Sequence, residues 1–145
     1  MANLITSWRE ALVSYLTVEF PDAEVLSGER SGVSRDKPRI SVFMPADGLK
    51  QFDRDGAMAT VVMIVRYWPK RGKQPAPGSP VDPTGLEQAV WDLTTALEPV
   101  RSSGLSTSDD LTFEVSSIEP DYDPDEWGVE ATLVGWTSNP AGAGA

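Results

Sequence analysis

Residues 57–68 constrain the fold more than any other part of the chain. Val61, Val62, Met63, Ile64 and Val65 are apolar at odd and even positions alike, and Tyr67 and Trp68 follow. β-Branched and aromatic residues favour the pleated backbone. A strand with one wet face alternates; a strand apolar on both parities needs cover on both sides. The stretch is therefore predicted to be an internal strand of a sheet. The run is far shorter than the roughly 20 residues a bilayer-spanning helix needs.

The remaining elements follow from periodicity and punctuation. In residues 3–19, Ile5, Trp8, Leu12, Tyr15 and Leu16 step by three and four, the spacing of one helical face. Ser7 and Glu10 fit a capping box, while Leu4 and Ile5 point to an earlier start; Pro21 stops the helix. Residues 23–26 read as a short extended piece, and residues 28–38 as a loop. Residues 39–44 read as a strand in which Ile40, Val42 and Met44 alternate with Arg39, Ser41 and Phe43. Residues 45–56 read as a polar connection.

Residues 69–83 hold five prolines, so no regular element is predicted there, only a long loop or arm. Thr84 and Glu87 make a second capping box, and Asp82 or Pro83 are alternative openings. This second helix is predicted to reach about Glu98, with Leu86, Ala89, Val90, Leu93 and Leu97 as its buried stripe and Pro99 as its end. Residues 101–109 form a Ser/Gly loop. In residues 111–118, Leu111, Phe113 and Val115 alternate with Thr112, Glu114 and Ser116. Residues 120–126 are an acidic turn. In residues 127–136, Val129, Ala131 and Leu133 alternate with Glu130, Thr132 and Val134. These last two strands should pair as an antiparallel hairpin. The expected fold is α+β: a mostly antiparallel sheet of four to five strands with two amphipathic helices packed on one face. Residues 1–138 form one domain, and residues 139–145 a flexible alanine-glycine tail.

The chain has no cysteine and no histidine. Disulfides, thiolate chemistry, His-ligated zinc and Ser-His-Asp triads are thereby excluded. The first residues lack the basic segment and cleavage site of a secretory signal, so a soluble protein made in the cytoplasm is expected. The net charge of −10 is unevenly placed: residues 28–73 carry +5, residues 74–145 carry −12 and residues 1–27 carry −3. Such a chain can pair its own halves or pair head-to-tail with a copy of itself.

Several motifs invite chemistry. Asp121, Asp123 and Asp125 open like a calcium loop. Glu126 stands where its glycine belongs, and Thr132 where its bidentate glutamate belongs. A solvated acidic turn is the simpler reading; a contact with a basic patch on a neighbouring subunit is a third. Arg66, Tyr67, Trp68, Lys70, Arg71 and Lys73 mix bases with aromatics, as in single-strand nucleic-acid sites. The acidic balance of the whole chain opposes that use, and the end of a core strand running into a charged loop explains the run equally well. Residues 28–32 match neither a dinucleotide fingerprint nor a P-loop. The five tryptophans are scattered: Trp8 and Trp91 on helices, Trp68, Trp127 and Trp136 at strand ends. Such scatter points to core and interface packing. No acid, base and nucleophile stand out together. No enzymatic activity, cofactor or metal is expected.

One resemblance joins these pieces. The stretch from Ile64 through Arg66, Trp68, Lys70, Arg71 and Lys73 to Pro75 resembles tail terminator subunits of long-tailed, siphovirus-type bacteriophages of actinobacteria. So do Asp82-Pro83, Leu86 to Ala89 and Leu93 to Pro99. The first amphipathic helix, Phe20 to Val25, Arg39 to Phe43, and the final strand after an acidic turn fit the same pattern. The likeness is one of pattern and length and covers nearly the whole chain. It implies a structural virion protein at the head-proximal end of the tail. That protein forms a ring, typically a homo-hexamer, that caps the tail tube and stops its polymerisation. The ring offers a docking surface to the head-tail connector, or neck, and DNA passes through its lumen without specific binding. In that setting Arg66, Trp68, Lys70, Arg71, Lys73, Asp121, Asp123, Asp125 and Glu126 are the candidate contacts to neighbouring subunits or tube, with no membrane involved. A neck or head-closure subunit of the same virion is the nearest rival. A small ligand-binding α+β domain and a nucleic-acid binder acting through Lys70, Arg71 and Lys73 are rivals from other classes.

Overall fold

The computed structural model describes residues 4–28, 37–52, 59–69, 83–103, 111–121 and 128–137. Helix α1 spans Leu4–Glu19, and strands β1 (Glu24–Ser27), β2 (Arg39–Phe43), β3 (Leu49–Phe52) and β4 (Ala59–Trp68) follow. Helix α2 spans Pro83–Ser103, and β5 (Leu111–Asp121) and β6 (Gly128–Thr137) complete the order. The strands run β1-β2-β4-β6-β5 across the sheet, with β3 paired to β4 off this path. Among the described residues only β1 and β2 are parallel; the other pairings are antiparallel. The α+β class, the mostly antiparallel sheet and the closing β5–β6 hairpin are as expected.

β4 is the internal strand its composition demands. It pairs with β2 and β3 along one side and with β6 along the other. Its odd residues Val61, Met63, Val65 and Tyr67 join the main core; its even residues Val62 and Ile64 form a second cluster with Phe43 and Val134. The main core contains Trp8, Leu12 and Leu16 from α1 and Leu86, Ala89, Leu93 and Leu97 from α2, together with Ile40, Val42, Val129, Ala131 and Leu133. Both helices therefore lie on one face of the sheet. α1 sits over β1 and β2, and α2 over β5 and β6.

Several local expectations need correction. The connection at 45–56 contains a strand. Pro45 to Gly48 close a turn, with the Gly48 amide donating to the Pro45 carbonyl at 2.9 Å. The Val62 amide then donates to the Gly48 carbonyl at 2.7 Å. β3 thus resumes on the side of β4 that β2 has just left, pairing Leu49 with Val61 and Phe52 with Ala59. β2 does not keep one wet face: Ser41 and Phe43 are buried as well as Ile40 and Val42, because the second cluster sits behind them. Met44 lies past the end of the strand and is exposed. Ser41 donates its hydroxyl to the Gly28 carbonyl, and the Gly28 amide donates to the Val42 carbonyl at 2.8 Å. Gly28 does this at φ 110°, a conformation glycine adopts without steric cost.

The helix starts follow the earlier of the openings the sequence offered: α1 starts at Leu4 and α2 at Pro83, so Ser7 and Thr84 lie inside the helices and not at the capping position. Pro83 suits the first helical position, where no amide donor is required. α2 continues through Pro99 to Ser103. Proline offers no amide to the carbonyl four residues back. Burial of Leu93, Ala96 and Leu97 in the preceding turn holds the helix on the sheet despite this. Beside the break, the Tyr15 hydroxyl donates to the Ala96 carbonyl at 2.5 Å, joining α1 to α2. Tyr15→Phe is expected to cost about 1 kcal/mol, the usual worth of one such bond, read as a lower urea midpoint with an unchanged slope.

β5 also outruns its expectation: it continues through Pro120 and Asp121, residues assigned to the acidic turn. The pairing with β6 shifts register between Val115 and Ser117. Among the described residues no helix is long and apolar enough to cross a membrane. The tail at 139–145 lies outside the described residues.

Candidate interaction surface

The sheet face away from the helices carries the first of the expected contact residues. Arg66 stands directly across from Glu130 and donates to it, Nε to Oε2, at 2.8 Å. Its guanidinium carbon lies 5.0 Å from the centre of the Phe43 ring. Arg66 is thus engaged within its own subunit. An ion pair this open to water contributes up to about 1 kcal/mol. Trp68, at 7% exposure, is likewise buried inside the subunit. Its ring crowds Gly128, where an added Cβ would lie 2.9 Å from Trp68 Cδ1 and 2.7 Å from the Tyr67 carbonyl oxygen.

Asp121 closes β5 opposite Gly128, the first residue of β6. Lys70, Arg71, Lys73, Asp123, Asp125 and Glu126 lie outside the described residues. Their stems are placed, however. β4 ends at Trp68 where β6 begins, so the basic run and the acidic turn leave the sheet at the same end.

At that end the structure assembles a depression of about 580 Å³. The last residue of α1, Glu19, forms part of its rim. The chain then turns: the Phe20 amide still donates to the Leu16 carbonyl at 2.9 Å, and the Ala23 amide to the Phe20 carbonyl at 3.0 Å. Pro21 suits the second position of such a turn, and Asp22 is presented at its exposed corner. Pro38 and Tyr67 supply the sheet wall, and Asp92, Thr95 and Ala96 the α2 wall. The Phe20 and Tyr67 rings meet at 5.2 Å, tilted by 40°.

The electrostatics of the depression are one-signed. Glu19, Asp22 and Asp92 make no ion pair among the described residues. Asp92 accepts a bond from Gln88 at 2.7 Å. Burial, and then the charge of Asp92, push the Tyr67 hydroxyl above its ordinary pKa; burial and Glu19 do the same to Tyr15. Both tyrosines therefore remain neutral donors at physiological pH. Carboxylate acceptors around aromatic walls form a surface suited to an ammonium or guanidinium group. Among the described residues no group of three or more acidic side chains is arranged to hold a metal ion.

Two large apolar side chains stand exposed on the helices, Trp91 at 63% and Val18 at 74%. Trp91 is one turn before Thr95, so it flanks the α2 wall of the depression. Sequence reasoning passed over Glu19, Phe20, Asp22, Tyr67 and Asp92 as a group. Their only shared signal was that the Phe20-Pro21-Asp22 turn directly follows an amphipathic helix. No protein-family model matches the chain, and no curated protein is significantly similar to it.

Proposed function

We propose that this chain is a ring-forming structural subunit that caps the head-proximal end of a phage tail tube, halts its polymerisation and presents a docking surface to the neck. One observation carries the reading furthest: Trp91 and Val18 face water, while the other described large apolar residues of the two helices are buried in the core or half-buried against it. Tryptophan is enriched among the residues that dominate subunit contacts, and an exposed indole on α2 supports a role in one. The pattern likeness to tail terminators, which runs through both helices and four of the strands, gives that surface a setting. The uneven charge of the chain suits a ring, in which one patch meets a different patch on the next copy.

The direct test is tube assembly. Purified tail tube subunits polymerise with and without this chain, and tube lengths are read by negative-stain electron microscopy. Tubes grown with it are expected to be short and narrowly distributed, with a ring at one end. An unchanged length distribution, with the chain absent from tube ends, would refute the proposal. Labelling of the head portal instead would favour the neck-subunit reading.

A further inference from the structure

We propose that the depression formed by Glu19, Phe20, Asp22, Tyr67 and Asp92 is the receiving half of a contact between copies, and that its occupant is the basic run Lys70-Arg71-Gly72-Lys73 of a second copy. The inference rests on the ring-subunit reading and gives that reading a specific interface.

Four observations carry it. The three carboxylates border one concavity and pair with no cation among the described residues. Tyr67 lines the same concavity, is 94% buried by its 6% exposure, and its hydroxyl makes no hydrogen bond among the described residues. A hydroxyl with no protein partner beside three carboxylates that hold no cation favours a basic ligand, which meets both. The run Lys70, Arg71, Lys73 is the densest positive charge in the sequence. Arg39 and Arg66 near this end of the sheet already hold Glu24 and Glu130, and Lys37, exposed just before the lining residue Pro38, is a single charge and not a run. Finally, the exposed Trp91 precedes Asp92 and lies one turn before Thr95, which places an apolar anchor next to the α2 wall of the charged contact. An arginine entering there can stack on an aromatic ring while pairing with carboxylates, which lysine does less well. The contact joins unlike patches, so repetition closes a ring or extends a filament.

Charge reversal in trans tests the assignment. One full-length variant carries E19K, D22K and D92K; another carries K70E, R71E and K73E. Association is followed by native mass spectrometry and light scattering at low and high salt, and thermal melting checks that each variant folds. Wild type is expected to assemble at low salt. Each variant alone is expected to associate at least tenfold more weakly, and the equimolar mixture to assemble again with alternating subunits. Tyr67→Phe, which keeps the ring and removes only the hydroxyl, should weaken assembly by a few-fold without unfolding. Variants that each assemble like wild type would overturn the depression as an interface and leave the ring reading standing. A mixture that stays monomeric would also overturn it, since the pairing would then lie within one chain. A wild type that never assembles, alone or on tubes, would sink both readings together.

Discussion

Trp8→Ala is expected to remove about 3–5 kcal/mol of stability, the largest loss of any single truncation in α1. Trp8 is 1% exposed and packs in the main core with Leu12, Leu16 and the inner face of the sheet. Truncation discards the burial of a whole indole and leaves a cavity that α1, tied to α2 through Tyr15, closes only in part. A domain of this size holds about 5–15 kcal/mol in all, so the variant stands near the edge of folding. Urea denaturation followed by far-ultraviolet circular dichroism measures the loss. The informative comparison is Trp91→Ala. That indole is mostly in water, so the substitution should shift stability by less than about 0.5 kcal/mol while lowering association. Equal destabilisation by the two substitutions would contradict the division between core and contact tryptophans.

Gly128→Ala should be strongly damaging for a single added methyl. The new Cβ meets the Tyr67 carbonyl oxygen at 2.7 Å and the Trp68 ring at 2.9 Å. Backbone on one side and a buried indole on the other leave little room to yield. A cost of about 2–3 kcal/mol is expected, at the upper end for over-packing, with a thermal midpoint lower by roughly 5–10 °C. Gly48→Ala is the natural control. There the closest contact is Met44 Cγ, on an exposed side chain that must turn to another rotamer to make room, while the Pro45 and Val62 carbonyl oxygens stand at 3.0 and 3.1 Å. Its effect should be clearly smaller. A reversed order would mean that the β4–β6 junction is looser than its geometry states.

Periodicity made much of this fold legible. β4 declared itself by apolar residues on both parities, α1 and α2 by their three-and-four spacing, and β5 and β6 by alternation. β3 was hidden because Lys50 and Gln51 look like loop. It forms because the Pro45–Gly48 turn carries the chain along β4, and no property of its own four residues announces that. Pro99 misled for a related reason: local chemistry says stop, and the buried side chains just before it say continue. Runs of like charge at 70–73 and 121–126 drew attention because they are contiguous. The depression drew none, because Glu19, Tyr67 and Asp92 come from a helix end, a strand end and the middle of a second helix. Only the fold gathers them.

The outer strands bear on how such a subunit survives at high concentration. Among the described residues three strands have an unpaired side: β1 and β3 have only four residues each, and β5 combines a register slip at Ser116 with Pro120, which has no amide to offer a newcomer. None of these margins is a good template for adding a foreign strand. Copies crowded together are thereby steered away from fibrous stacking and toward docking through side chains, where geometry limits how many can join.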